Sequence, residues 1–129
     1  MTENTNTKEI YTEVPNRNVF FEYLQQNPGI MIFKFGAEWC GPCKKIQSDL
    51  EVLFANCPNN VLCFDIDVDE CFDIYAFLKS KKMINGIPAI LAYKKGNINF
   101  VPDYSHSGSD LNQLNLFFQT IYRDCKFIS

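Results

Sequence analysis

Two cysteines with two residues between them, Cys40 and Cys43, stand where an apolar run gives way to a helical one, and no other feature restricts the fold of this chain as strongly. Ile30-Met31-Ile32-Phe33-Lys34-Phe35 reads as a buried strand and Lys44-Lys45-Ile46-Gln47-Ser48-Asp49-Leu50 as a helix. Cys40 therefore sits where a strand hands over to a helix N-terminus. Unpaired N–H groups and the positive end of the helix dipole favour a thiolate there, which lowers a cysteine pKa from about 8.5 to roughly 3.5 to 7.5. Cys40 is the candidate nucleophile. Gly41 lets the chain turn closely past the sulfurs, and Pro42 falls in the first helical turn, where its missing N–H breaks no bond. Cys43 lies on the same helix face, further inside, placed to attack a mixed disulfide at Cys40.

Paired cysteines at this spacing also bind zinc, which needs four ligands. Cys57, Cys63, Cys71 and Cys125 form no second short pair, and the only histidine, His106, has no partner at ligand spacing. The expectation is a dithiol with neither metal nor cofactor.

Strand and helix patterns alternate along the chain. An edge strand is expected over Glu9 to Val14, a helix over Asn16 to Gln26 capped at Pro15-Asn16, and a strand over Ile30 to Phe35 after the Asn27-Pro28-Gly29 turn. A helix over 41–56, a strand over Val61 to Asp67 and a helix from Glu70 to Lys82 extend this into a βαβ pattern. Ile87 to Tyr93 and Asn97 to Val101 read as a hairpin about Lys94-Lys95-Gly96-Asn97, and Ser109 to Arg123 as a closing helix.

The segment Phe35-Gly36-Ala37-Glu38-Trp39-Cys40-Gly41-Pro42-Cys43-Lys44 resembles the active-site segment of thioredoxins, and Gly86-Ile87-Pro88-Ala89-Ile90 resembles the cis-proline and strand that face it in that family. The resemblance in element order runs over residues 8 to 125. It implies an α/β thioredoxin fold, a central mixed β-sheet flanked by helices in a single domain. It also implies reduction of protein disulfides through Cys40 and Cys43, with regeneration by a thioredoxin reductase or another dithiol donor. By itself Pro88 reads as an ordinary trans proline at a strand entrance; the resemblance implies a cis bond. The resemblance further implies that the Ile87 backbone pairs with substrate, in a groove with Trp39, Gly41, Pro42 and Pro88. In that setting Trp39 shields the disulfide and touches substrate.

At 129 residues and 47% hydrophobic, the chain can bury a core without a disulfide scaffold. It holds no apolar run of membrane-spanning length and no basic stripe suited to nucleic acid, and its net charge is −3. A polar tail over residues 1–7 and a domain over 8–129 are expected. The tail lacks the pattern of a signal peptide, so the expected setting is cytoplasmic, with the chain acting as a monomer on protein disulfides.

The main departure from the thioredoxin pattern is Lys34, where that family has a buried aspartate. Asp65 falls where many members carry the facing lysine, so the pair reads as exchanged. Facing each other, Lys34 and Asp65 would satisfy one another and put a positive charge near Cys43. The alternative is a lysine stem buried along the strand with its amine in water. Asp67 and Glu38 are further candidates for carrying protons. His106 reads as a surface-loop residue at the groove rim, with Gly108 a candidate to complete that rim. Cys57 and Cys63 read as inert small hydrophobes, Cys71 as exposed and open to intermolecular pairing, and Cys125 as lying in a frayed end. A binding module in which the cysteine pair contributes little is the competing function.

Overall fold

The computed structural model describes residues 7–128, so the expected tail lies, save Thr7, outside the described residues, as does Ser129. Its described residues build a five-stranded sheet in the order β1-β3-β2-β4-β5. The strands are β1 (Ile10–Tyr11), β2 (Ile30–Gly36), β3 (Val61–Asp67), β4 (Ala89–Lys94) and β5 (Tyr104–Ser107). β1 and β2 run parallel to β3, whereas β4 is antiparallel to both β2 and β5. The helices are α1 (Arg17–Gln25), α2 (Gly41–Ala55), α3 (Phe72–Ser80) and α4 (Leu111–Asp124), followed by a 3₁₀ turn over Cys125–Phe127. This is the mixed α/β sheet, flanked by helices in one domain, that the sequence led us to expect.

β2 is buried along its whole length because helices cover both faces of the sheet. Alternation then sorts its side chains. Met31, Phe33 and Phe35 join Phe20, Leu24, Ile74 and Leu78 beneath α1 and α3, with Phe33 stacked on Phe64 at 4.5 Å. Ile30 and Ile32 join Ile46, Leu50, Phe118 and Ile121 beneath α2 and α4. Each such apolar side chain contributes about 1.5 to 3 kcal/mol when taken out of water. The same alternation puts Lys34 on the α2 side.

Asn16 caps α1 by accepting from the Val19 N–H at 3.0 Å, and Asp110 caps α4 by accepting from the Gln113 N–H at 3.0 Å. Most expected elements shift by one or two residues at their ends, β4 starting at Ala89 rather than Ile87 and α4 at Leu111 rather than Ser109, and three differ more. β1 keeps only Ile10–Tyr11, because Val14 turns into the core ahead of Pro15. α3 is shorter than 70–82 and ends at Ser80, with Lys82 left-handed at φ 65°. The hairpin's second strand is Tyr104–Ser107 rather than Asn97 to Val101. Side chains claim the earlier backbone: Asn97 Oδ1 accepts from the Asn99 N–H, Asn99 Oδ1 from the Val101 N–H, and Asp103 Oδ2 from the Lys94 N–H. Those Asx turns compete with a strand ladder and postpone it.

Candidate active site

The cysteine pair is set by the end of β2 and the start of α2. Cys40 is the N-cap of α2, with extended backbone, and its Sγ accepts from the Cys43 N–H at 3.2 Å. Sulfur thus occupies the capping position usually held by a serine, threonine or aspartate oxygen. Cys40 and Cys43 form a disulfide with Cα atoms 5.3 Å apart, and both are buried. Cys40 Sγ lies 3.8 Å from the Ile87 carbonyl oxygen, across from a cis Ile87–Pro88 bond. Pro88 accepts from the Gly108 N–H at 2.9 Å, and Gly108 has φ +91°, a conformation open to glycine at no steric cost. Ile87, Pro88 and Gly108 therefore form one rim beside the sulfurs.

Trp39 lies on the surface, 67% exposed, with its indole N–H donated to Asp69 Oδ2 at 2.8 Å. One end of the ring is tethered while its face stays free.

Behind Cys43 the structure brings Lys34 and Asp65 together. They are register partners across β2 and β3, and Lys34 Nζ donates to Asp65 Oδ1 at 3.0 Å and to Gln47 Oε1 at 3.1 Å. The Lys34 side chain is 6% exposed, so its amine is held inside rather than reaching for water. Gln47 completes the network by donating from Nε2 to Asp65 Oδ2 at 3.2 Å. Gln47 went unnoticed in the sequence, although its place four residues after Cys43 puts it on the same helix face.

Gly36 is where the network meets the cysteines. A Cβ built on it would stand 2.9 Å from Lys34 Nζ and 3.3 Å from Cys43 Sγ. The ammonium and the sulfur are therefore no more than about 6 Å apart, where an effective dielectric near 20 makes the charge worth on the order of 3 kcal/mol to a thiolate. A cleft of about 460 Å³, lined by Lys34, Cys43, Gln47, Asp65, Glu38 and Asp67, opens on this side. Asp67 is partly occupied by its own turn, accepting from the Asp69 N–H at 2.8 Å.

The outlying residues need correction. His106 is not a surface-loop residue: it pairs with Ile90 in β5, is buried near Phe117, and its Nε2 is 3.0 Å from the Gly108 carbonyl oxygen. That contact makes Nε2–H the donor, so His106 supports the rim. Cys71 is buried, its thiol donating to the Thr12 carbonyl at 3.7 Å, because the chain before α1 folds over it. Cys125 is buried too, donating to the Tyr122 carbonyl at 3.3 Å, and burial pushes its thiol pKa up. Neither is an exposed reactive thiol. Among the described residues no group of three or more His, Cys, Asp or Glu could hold a metal ion, and no helix is long and apolar enough to cross a membrane.

Comparison with known proteins places these features in a wider set. The Thioredoxin family model matches residues 11–119. Thioredoxin of the rabbit, Oryctolagus cuniculus, is 34% identical over 85 residues, covering 65% of this chain and 76% of the rabbit protein. Human thioredoxin is 31% identical over 85 residues, with the same coverage of 65% and 76%. Among solved structures, thioredoxin from Trypanosoma brucei brucei superposes with a TM-score of 0.72 at 20% identity, covering 96% of this chain and 100% of that one. At that identity the superposition speaks for the fold alone.

Proposed function

This chain belongs to the thioredoxin family and is a protein thiol–disulfide oxidoreductase, and on that footing we propose that it works as a reductase, with Cys40 as nucleophile and Cys43 as resolving thiol. The observation that carries the reading is the Cys40–Cys43 disulfide at the head of α2, with the rim at Ile87, Pro88 and Gly108 beside it. The Cys40 thiolate attacks one sulfur of a substrate disulfide, forming a mixed disulfide and releasing the first substrate thiolate. Cys43, as thiolate, then attacks Cys40 Sγ, the second substrate thiolate leaves, and two electrons have passed from the dithiol to the substrate.

Each site residue has a part in this cycle. The capping geometry stabilises a Cys40 thiolate, because the Cys43 N–H already points at that sulfur. Substrate docks as extended backbone along Ile87, with Trp39, Gly41, Pro42 and Pro88 walling the groove. Lys34, held in place by Asp65 and Gln47, favours the Cys43 thiolate. Where family members place an acid to move the proton, this chain uses charge to make the proton easier to lose.

The family implies protein substrates and a reductase partner, and we assign the reducing direction on the Gly41-Pro42 dipeptide. Cys57, Cys63, Cys71 and Cys125 are free, which suits a reducing compartment, the cytoplasm, and a monomer serving redox homeostasis and electron transport. The test is reduction of a protein disulfide by the purified chain with NADPH and a thioredoxin reductase, beside Cys40→Ser. Turnover that vanishes in the variant is expected. Turnover with a chemical dithiol alone would overturn the assigned donor, and no turnover with either would overturn the reductase reading.

A further inference from the structure

Cys57 and Cys63 take no part in the chemistry at Cys40 and Cys43, yet the fold brings them together. Cys57 ends the turn after α2 and Cys63 sits mid-β3, with Pro58, Asn59 and Asn60 between the elements. That turn is tight, the Val61 N–H donating to the Pro58 carbonyl at 3.0 Å. Both side chains belong to the cluster beneath α2 and α4, and the Cys63 thiol hydrogen-bonds to the Cys57 sulfur. Cys57 in turn donates to the Leu53 carbonyl at 3.5 Å.

The two thiols are not equivalent. Cys63 is fully buried, whereas Cys57 lines a cleft of about 570 Å³ together with Lys8, Glu9, Tyr11, Asn59 and Leu62. Lys8 is anchored at this point by donating to the Pro58 and Val61 carbonyls, which leaves its ammonium beside the pair. The hydrogen bond from Cys63, with the Lys8 charge, holds the Cys57 pKa below the ordinary thiol value. The same contact with Cys57, and burial, push that of Cys63 up. Cys57 borders the cleft beside the Lys8 ammonium and is thus the thiol that a small oxidant meets first, while Cys63 stays fully buried.

We infer that Cys57 and Cys63 are a second, internal dithiol, in which Cys57 reacts with a small hydroperoxide reaching it through the cleft at Lys8 and Cys63 then closes a disulfide. In the first step the Cys57 thiolate attacks a peroxide oxygen. An S–O bond forms, the O–O bond breaks, and the other oxygen leaves as water or an alcohol after taking up a proton, giving a sulfenic acid. In the second, Cys63 sulfur attacks Cys57 sulfur, the S–S bond forms, the S–O bond breaks, and hydroxide leaves as water with the Cys63 proton. The peroxide gains two electrons and the two thiols lose them. Closure would tie the end of α2 to the middle of β3.

Hydrogen peroxide is the probe, applied to the Cys40→Ser/Cys43→Ser protein, which retains the four free cysteines Cys57, Cys63, Cys71 and Cys125. Alkylation after denaturation is expected to find two thiols lost, with mass spectrometry showing a Cys57–Cys63 link that a thiol reductant reverses. Adding Cys63→Ala is expected to stop the reaction at a Cys57 sulfenic acid, trapped by a dione reagent, and adding Cys57→Ala to protect Cys63. Circular dichroism at each time point confirms that the chain stays folded. Oxidation of Cys71 or Cys125 ahead of Cys57, a Cys57–Cys125 link, or survival of all four thiols until the chain unfolds would each overturn the assignment.

Discussion

Replacing Lys34 by methionine is expected to raise the pKa of Cys43 by about two units, and replacing Asp65 by asparagine to lower it by about one. The first figure follows from the position of the ammonium, no more than about 6 Å from the sulfur, which at an effective dielectric near 20 is worth about 2.8 kcal/mol, or two pKa units at 1.36 kcal/mol each. The second follows from the carboxylate 3.0 Å from that ammonium, hence within about 9 Å of the sulfur, where its repulsion is about 1.8 kcal/mol before the water at its 26% exposed side chain screens it. Methionine keeps the volume of the lysine stem but leaves Asp65 without its cation; Asp65 is 26% exposed and keeps the hydrogen bond from Gln47 Nε2, so the variant is expected to fold with reduced stability. Measured in a Cys40→Ser background, the pH dependence of Cys43 alkylation, followed by mass spectrometry of the Cys43 peptide, reports this thiol apart from Cys57, Cys63, Cys71 and Cys125. The reasoning is refuted if Cys43 in Lys34→Met titrates at or below its parent value, or if both variants move it the same way. Because the ammonium stabilises the reduced, ionised pair, Lys34→Met in the intact dithiol should also be more reducing by about 60 mV where Cys43 is ionised.

Gly36→Ala puts a methyl group 2.9 Å from Lys34 Nζ and 3.3 Å from Cys43 Sγ, so it is expected to cost about 1 to 3 kcal/mol in denaturant unfolding. It should also raise the Cys43 pKa toward that of Lys34→Met by pushing the ammonium aside. Asn27 is buried, donating to the Tyr93 carbonyl at 2.8 Å and accepting from the Gly29 N–H at 2.9 Å; Asn27→Ala is expected to lose about 1 to 3 kcal/mol by the same assay, with turnover retained. Asp73 accepts from the Arg17 side chain and backbone N–H, which hold its carboxyl below the usual range. A depressed native pKa adds stability above the unfolded value, and that stability disappears as pH falls through the native one. The Tm deficit of Asp73→Asn should therefore be full at neutral pH, shrink below about pH 4, and diminish with added salt.

The sequence revealed the route of the chain wherever apolar periodicity was strong, as in β2, α2 and α4, and it revealed the cysteine junction because strand, N-cap and proline all point to one place. The exchanged Lys34 and Asp65 were paired through the thioredoxin resemblance, Asp65 falling where that family carries the facing lysine, and the parallel register of β2 and β3 sets the two side by side. Distances were not legible: whether the lysine amine turned inward depended on Gln47, a polar helix residue with no pattern of its own. β5 escaped notice because Tyr104-Ser105-His106-Ser107 is short and mostly polar, while Asn97, Asn99 and Asp103 gave the preceding stretch its shape through side-chain bonds that periodicity does not register. His106 was misjudged for the same reason, its burial coming from β4 and α4 rather than from its neighbours in the chain. Cys71 and Cys125 were misread because distant segments cover them.

The two cysteines of the active site open in different directions. Cys40 looks toward the Ile87 and Pro88 rim, whereas Cys43 borders the cleft that holds Lys34, Gln47 and Asp65. A protein clamped over the front sulfur would seal one doorway and leave the other ajar, so the proton that Cys43 must shed has its own exit to solvent. Substrate bulk and proton traffic are thereby uncoupled: a large folded client and a short peptide should differ in how well they dock, yet meet the same chemistry once docked.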